Sequence, residues 1–93
     1  MRTYLNTHVQ ATDGTAESVT LSGQANGIIV HATKAAYLNA EGDDAAASSA
    51  FYVPAGVIVD IPVPLITGAA SQKVSVIQVA SAGSVTIVEY QDL

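Results

Sequence analysis

Thr3-Tyr4-Leu5-Asn6-Thr7-His8-Val9-Gln10-Ala11 changes character at every step. Leu5, Thr7, Val9 and Ala11 fall on one side of an extended chain, and Tyr4, Asn6, His8 and Gln10 on the other. A period of two is the signature of a β-strand with one face buried. The same rhythm returns along the chain. Residues 16–22 (AESVTLS) place Val19 and Leu21 inward, and residues 28–33 (IIVHAT) are nearly continuously apolar, as in a strand covered on both faces. Residues 35–40 (AAYLNA), 50–53 (AFYV), 57–65, 73–80 (KVSVIQVA) and 84–90 (SVTIVEY) complete the set. Asp13-Gly14, Gly23, Asn26-Gly27 and Val53-Pro54-Ala55-Gly56 supply turns between them; the last fits a type I turn, with proline second and glycine fourth. Residues 41–49 (EGDDAAASS) and 67–72 read as loops, and Ser81-Ala82-Gly83 as the turn of a closing hairpin. About eight short strands spaced by turn signals predict an all-β domain, a small antiparallel sandwich of jelly-roll-like or immunoglobulin-like type.

Composition supports strands and limits function. The 93 residues suit one domain, 1–93. Valine, isoleucine and threonine are plentiful, and such β-branched side chains fit pleated surfaces. Apolar residues make up 49%, yet 16 residues are alanine and only 12% are charged. The core is therefore thin and the surface poor in ions, which favours a surface covered by partner subunits. Three basic residues against eight acidic ones, net −5, argue against nucleic acid and anionic membranes as partners. No apolar run of about 18 residues is present to span a bilayer. Residues 1–8 lack the apolar core of a signal peptide, and there is no cysteine, so assembly in a reducing compartment is expected.

Asp60-Ile61-Pro62-Val63-Pro64-Leu65 locates an edge. Amides two residues apart point to the same side of a strand, so Pro62 and Pro64 both withhold donors from one neighbour. Such a segment belongs at a sheet edge, with Ile61, Val63 and Leu65 toward the core. A blunted edge guards against aggregation; it also suits contact with a partner through side chains, which makes Pro62 and Pro64 interface candidates. Tyr4, Tyr37 and Tyr52 join them, because tyrosine is enriched at subunit contacts; Tyr90 completes the chain's tyrosines, which cap core edges, meet subunits or stack on sugars.

No constellation for chemistry emerges. His8 and His31 lack the company a zinc site needs; His31, in an apolar strand, reads as a hydrogen-bonded structural residue. Glu41, Asp43 and Asp44 lack a calcium-loop frame and read as a solvated loop. Serine is abundant without a nucleophile elbow or a nearby base. Asp60 and Glu89 are a conceivable carboxylate pair for glycoside hydrolysis, in a domain with little room for a cleft. Glu17 and Glu89 are otherwise assigned to solvent-facing positions. No catalytic residue, metal or cofactor is expected.

Gly27-Ile28-Ile29-Val30-His31-Ala32-Thr33, Ala36-Tyr37-Leu38-Asn39, Phe51-Tyr52-Val53-Pro54-Ala55-Gly56, Val74-Ser75-Val76-Ile77 and Gly83-Ser84-Val85-Thr86-Ile87-Val88-Glu89 together resemble the small head decoration, or cement, proteins of tailed bacteriophages. The resemblance spans roughly residues 23–90, and Pro54 and Gly56 match its turn. It implies an all-β fold, no enzyme activity, and a place on the capsid surface of the virion. The major capsid protein and copies of the chain itself, often as homotrimers near threefold axes, are the implied partners. Residues 1–22 lie outside the resemblance and are expected to form a strand or an arm that contacts a neighbour. The alternative function is a carbohydrate-binding or adhesin-like module of a phage tail or fibre, with the tyrosines and the 41–49 loop on the sugar.

Overall fold

A computed structural model describes residues 1–40, 45, 50–63 and 72–92. Eight strands run in chain order: β1 Arg2–Thr12, β2 Glu17–Thr20, β3 Gly27–Ala32, β4 Ala36–Asn39, β5 Phe51–Val53, β6 Ile58–Pro62, β7 Lys73–Gln78 and β8 Gly83–Asp92. They form two four-stranded antiparallel sheets, β1-β8-β3-β6 and β2-β7-β4-β5. The pairs β1·β8, β2·β7, β3·β6 and β4·β5 each sum to nine, as when one long hairpin folds over on itself. That is the order of a jelly roll; the immunoglobulin alternative requires a different order and is set aside.

Alternating side chains of the two sheets meet in one core. Ile28, Val30, Val85 and Ile87 of the first sheet face Val19, Ala36, Leu38, Val53, Val74 and Val76 of the second. Most are valine or alanine, so the layer between the sheets is thin. Glutamine 72 closes one end of this layer without leaving an unpaired amide. Its side chain accepts from the Ala25 amide at 3.1 Å and donates to the Ala25 carbonyl at 2.6 Å, standing in for a ladder rung.

Two expectations fail here. Residues 73–78 and 83–92 do not form a hairpin; β7 and β8 lie in opposite sheets, and residues 79–82 carry the chain across the sandwich. Val74 and Val76 thereby face Val85 and Ile87 across the core, which neighbours in one sheet cannot do. The second failure lies in β1. Tyr4 pairs with Tyr90 but Thr7 pairs with Val88, so β1 carries one residue more than its partner at this point. Such a bulge exchanges the two faces of everything that follows. Leu5 points inward as expected, but beyond the bulge His8, Gln10 and Thr12 turn in, and Val9 and Ala11 turn out to solvent.

The proline strand lies where expected. β6 is an edge of the first sheet, with Ile61 half-buried and Val63 buried. Pro64 and Leu65 lie outside the described residues. Gly56, at φ +75°, closes the 53–56 turn and donates its amide to the Ala32 carbonyl at 2.8 Å. This fastens the β5–β6 connection to the end of β3, in a conformation that suits glycine.

Candidate functional site

The register of the first sheet builds its outer face row by row, since residues opposite one another share a face. Tyr4, Tyr90, Gly27 and Pro62 form one row; Thr7, Val88, Ile29 and Asp60 the next; Val9, Thr86, His31 and Ile58 the third. Val9 is 70% exposed and Ile58 72%, while Ile29 and Val88 are half-exposed in the centre. The unbroken apolar run of β3 thus has a physical origin different from the one expected. Ile28, Val30 and Ala32 meet the core, whereas Ile29 and His31 face outward with no described layer above them. Four strands each about 4.8 Å wide and three rows each about 6.6 Å deep give a face of roughly 400 Å² in projection. Tyr4, Val9, Ile29, Val88 and Ile58 are its apolar part, interrupted by Thr7, Thr86, His31 and Asp60, and the whole face is about half of what a stable interface takes from each partner.

One end of this face is locked by a stack. Tyr90 lies flat over Gly27, where a Cβ would come within 2.1 Å of the ring. The Arg2 guanidinium sits on the other side of the ring, 3.8 Å from its centroid. Arg2 is held by Asp92, with Nε on Oδ1 at 3.1 Å and Nη2 on Oδ2 at 2.8 Å, and reaches Asp60 Oδ2 at 3.3 Å. The Tyr90 hydroxyl donates to Asp60 Oδ1. Asn26 ties the end of β8 down, donating to the Asp92 carbonyl and accepting from its amide, both at 2.8 Å. The bond to Asp60 raises the Tyr90 pKa, and the Arg2 fork lowers that of Asp92. The charges at this end satisfy one another, and all four strands are cross-linked.

A second polar group lies inside. Glu89 has no exposed area, yet it accepts from His8 Nε2 at 2.6 Å and from the Ser22 amide at 3.1 and 3.3 Å. Burial opposes its charge, but the bonds from His8 and Ser22 outweigh burial and hold its carboxyl below the usual range. The expected solvent-facing role of Glu89 is therefore incorrect, because it alternates in step with Val85 and Ile87 along β8 and lies opposite the core residue Ile28. Glu89 and Asp60 also lie on opposite faces of one sheet, so they cannot flank a common glycosidic bond.

The tyrosines part company. Tyr37 and Tyr52 pair across β4 and β5 on the outside of the second sheet, ring centroids 5.9 Å apart at 64°. Their T shape satisfies the rings against each other and offers no flat two-ring floor. Tyr4 lies on the outer face of the other sheet. Pro62 borders a cleft of about 350 Å³ between the β5 and β6 edges, with Leu38, Phe51, Asp60 and Ile61. Both carboxylate oxygens of Asp60 are already occupied by Arg2 and Tyr90. His31 has no side-chain hydrogen bond among the described residues; its expected buried, bonded role gives way to a half-exposed place beside Ile58. Glu41, Asp43 and Asp44 lie outside the described residues. Among those described, no three His, Cys, Asp or Glu converge as metal ligands, and no buried side-chain nitrogen or oxygen lacks a partner.

The sequence held a signal for the apolar face, in the two-sided apolar character of Ile28–Ala32. It held one for Glu89 too, since period two along β8 sets it in step with Val85 and Ile87; the bulge lies in β1 and brings His8 in to meet it. No protein-family model, curated protein or solved structure matches the chain.

Proposed function

We propose that this protein is a structural component of a phage virion, a decoration (cement) subunit that binds the outer capsid lattice and stabilises the head without catalysing a reaction. The observation that carries this reading is the outer face of the β1-β8-β3-β6 sheet, ordered by four strands, with Tyr4, Val9, Ile29, Val88 and Ile58 outward and its one acid, Asp60, held by Arg2 and Tyr90. Its projected area of roughly 400 Å² is too small for tight binding by one copy. It is sufficient where many copies engage a repeating surface and their contacts act together. The partners are then the major capsid protein and other copies of the chain, with homotrimers as the form the resemblance implies. The paired Tyr37 and Tyr52 rings give less support to the sugar-binding alternative.

The test is quantitative mass spectrometry and electron microscopy of particles purified from a lysate that produces this protein. A fixed ratio to the major capsid protein, with density outside the shell, is expected. Absence from purified particles, or confinement to the tail, removes the assignment.

A further inference from the structure

We propose that the free edge of β1, over Thr7–Thr12, is a self-association edge: two copies pair it antiparallel and join their four-stranded sheets into one of eight strands. This rests on the backbone and stands whether or not the chain decorates a capsid.

The first sheet has two edges of opposite character. β6 is five residues long and ends in Pro62, which has no amide to donate. β1 is eleven residues long and, among the described residues, pairs with β8 on one side only. Its main chain makes no described backbone bond beyond that ladder, and the one side-chain bond to its edge runs from Gln10 Nε2 to the Ala11 carbonyl at 3.1 Å. Between Thr3 and Thr12 there is no lysine, no acid and no proline, the usual devices that keep an edge single. The bulge protects the first half and leaves Thr7–Thr12 as a regular run of ordinary strand length.

Length and charge select the occupant. The edges of the second sheet, β2 and β5, are four and three residues long. Only another β1 matches β1, so the contact is isologous and closes as a dimer, in place of the trimer the resemblance implies. The chain carries net −5, yet all eight acids lie outside β1, whose one fixed charge is Arg2. The paired run itself therefore brings no acid of one copy against an acid of the other. A two-fold axis perpendicular to the sheet keeps both outer faces on one side. The apolar face then widens from about 19 to about 38 Å, and its area reaches the range of a stable interface.

Static light scattering on the full chain should give twice the 9.5 kDa monomer mass. Amide exchange should protect all six amides of Thr7–Thr12, where a free edge protects alternate ones. The double variant Val9→Lys/Ala11→Lys alters two exposed side chains on this edge and should be monomeric with unchanged circular dichroism; Val88→Lys, in the middle of the face, should remain dimeric. A monomeric or trimeric wild type overturns the proposal. So does a dimer that survives Val9→Lys/Ala11→Lys or is broken by Val88→Lys. Should the double variant fail to fold, alternate-residue exchange in the wild type alone overturns it. Capsid binding is scored separately: a dimer that ignores phage heads supports the edge pairing and removes the decoration reading.

Discussion

Replacing Gly27 by alanine should damage this protein far more than a methyl group on a strand ordinarily does. A Cβ at position 27 would stand 2.1 Å from Tyr90 Cζ, 2.2 Å from its hydroxyl oxygen and 2.6 Å from Cε1. The ring must retreat by more than an ångström to reach ordinary contact. It cannot do so freely, because Arg2 covers its other side at 3.8 Å and Asp60 holds its hydroxyl. Overpacking of this kind costs about 1–3 kcal/mol. Loss of the bond to Asp60 adds about 1.5 kcal/mol, at the low end for a bond to a charged partner, and loss of the guanidinium stack about 0.5 kcal/mol. The smaller chain entropy of alanine returns about 0.5–1 kcal/mol. The net loss is about 2–4.5 kcal/mol, against roughly 5–14 kcal/mol for a domain of this size. Thermal unfolding should move down by about 10–25 °C. Urea denaturation of Gly27→Ala, Tyr90→Ala and the double variant measures the coupling, and Gly27→Ala should become nearly neutral once the ring is gone. A loss below about 0.5 kcal/mol, or an equal loss with and without Tyr90, would refute the stacked geometry.

Glu89→Gln should cost about 2–3 kcal/mol at neutral pH, since it removes the charge from a buried, hydrogen-bonded pair. Because the folded pKa of Glu89 lies below its unfolded value, its contribution is complete above the ordinary carboxylate range and is lost as pH falls through the folded pKa. Wild-type stability should therefore fall on acidification below about pH 4.5, and Glu89→Gln should show a shallower fall; parallel curves in chemical denaturation at several pH values would contradict the His8–Glu89 pairing. Gly56→Ala, at φ +75°, should lose about 1–2 kcal/mol by the same method, and a neutral result would mean the turn is built otherwise. On a glycan array the isolated protein should show no selective binding; a sugar bound by wild type and lost in Tyr52→Ala would favour the adhesin-like alternative.

Much of the sandwich is readable in the residues. β-Branched runs separated by glycine, asparagine and proline mark the strands, and Pro62 identifies an edge because a missing amide has only one tolerable place. Pairing order is harder to read. Of the eight strands only β4 and β5 pair with a chain neighbour, so local turn signals such as Ser81-Ala82-Gly83 report a reversal without reporting which sheet receives the next strand. The bulge at Tyr4–Thr7 has no glycine to announce it. It lets Leu5 before it and His8 beyond it both turn inward although they stand three residues apart. The inward turn of His8 follows from that bulge, which the periodicity of β1 does not contain, whereas that of Glu89 is given by its alternation with Val85 and Ile87. The outer face is half legible: Ile28–Ala32 is apolar on both sides but for His31, and only the fold shows that no described residue covers the side of Ile29.

Co-sedimentation with phage heads that lack this protein tests most directly whether the bare face is the functional surface. Wild-type protein should pellet with the heads, and Val88→Lys, folded by circular dichroism, should stay in the supernatant. Equal pelleting of both proteins, or none by either, would contradict the assignment of that face to a capsid lattice.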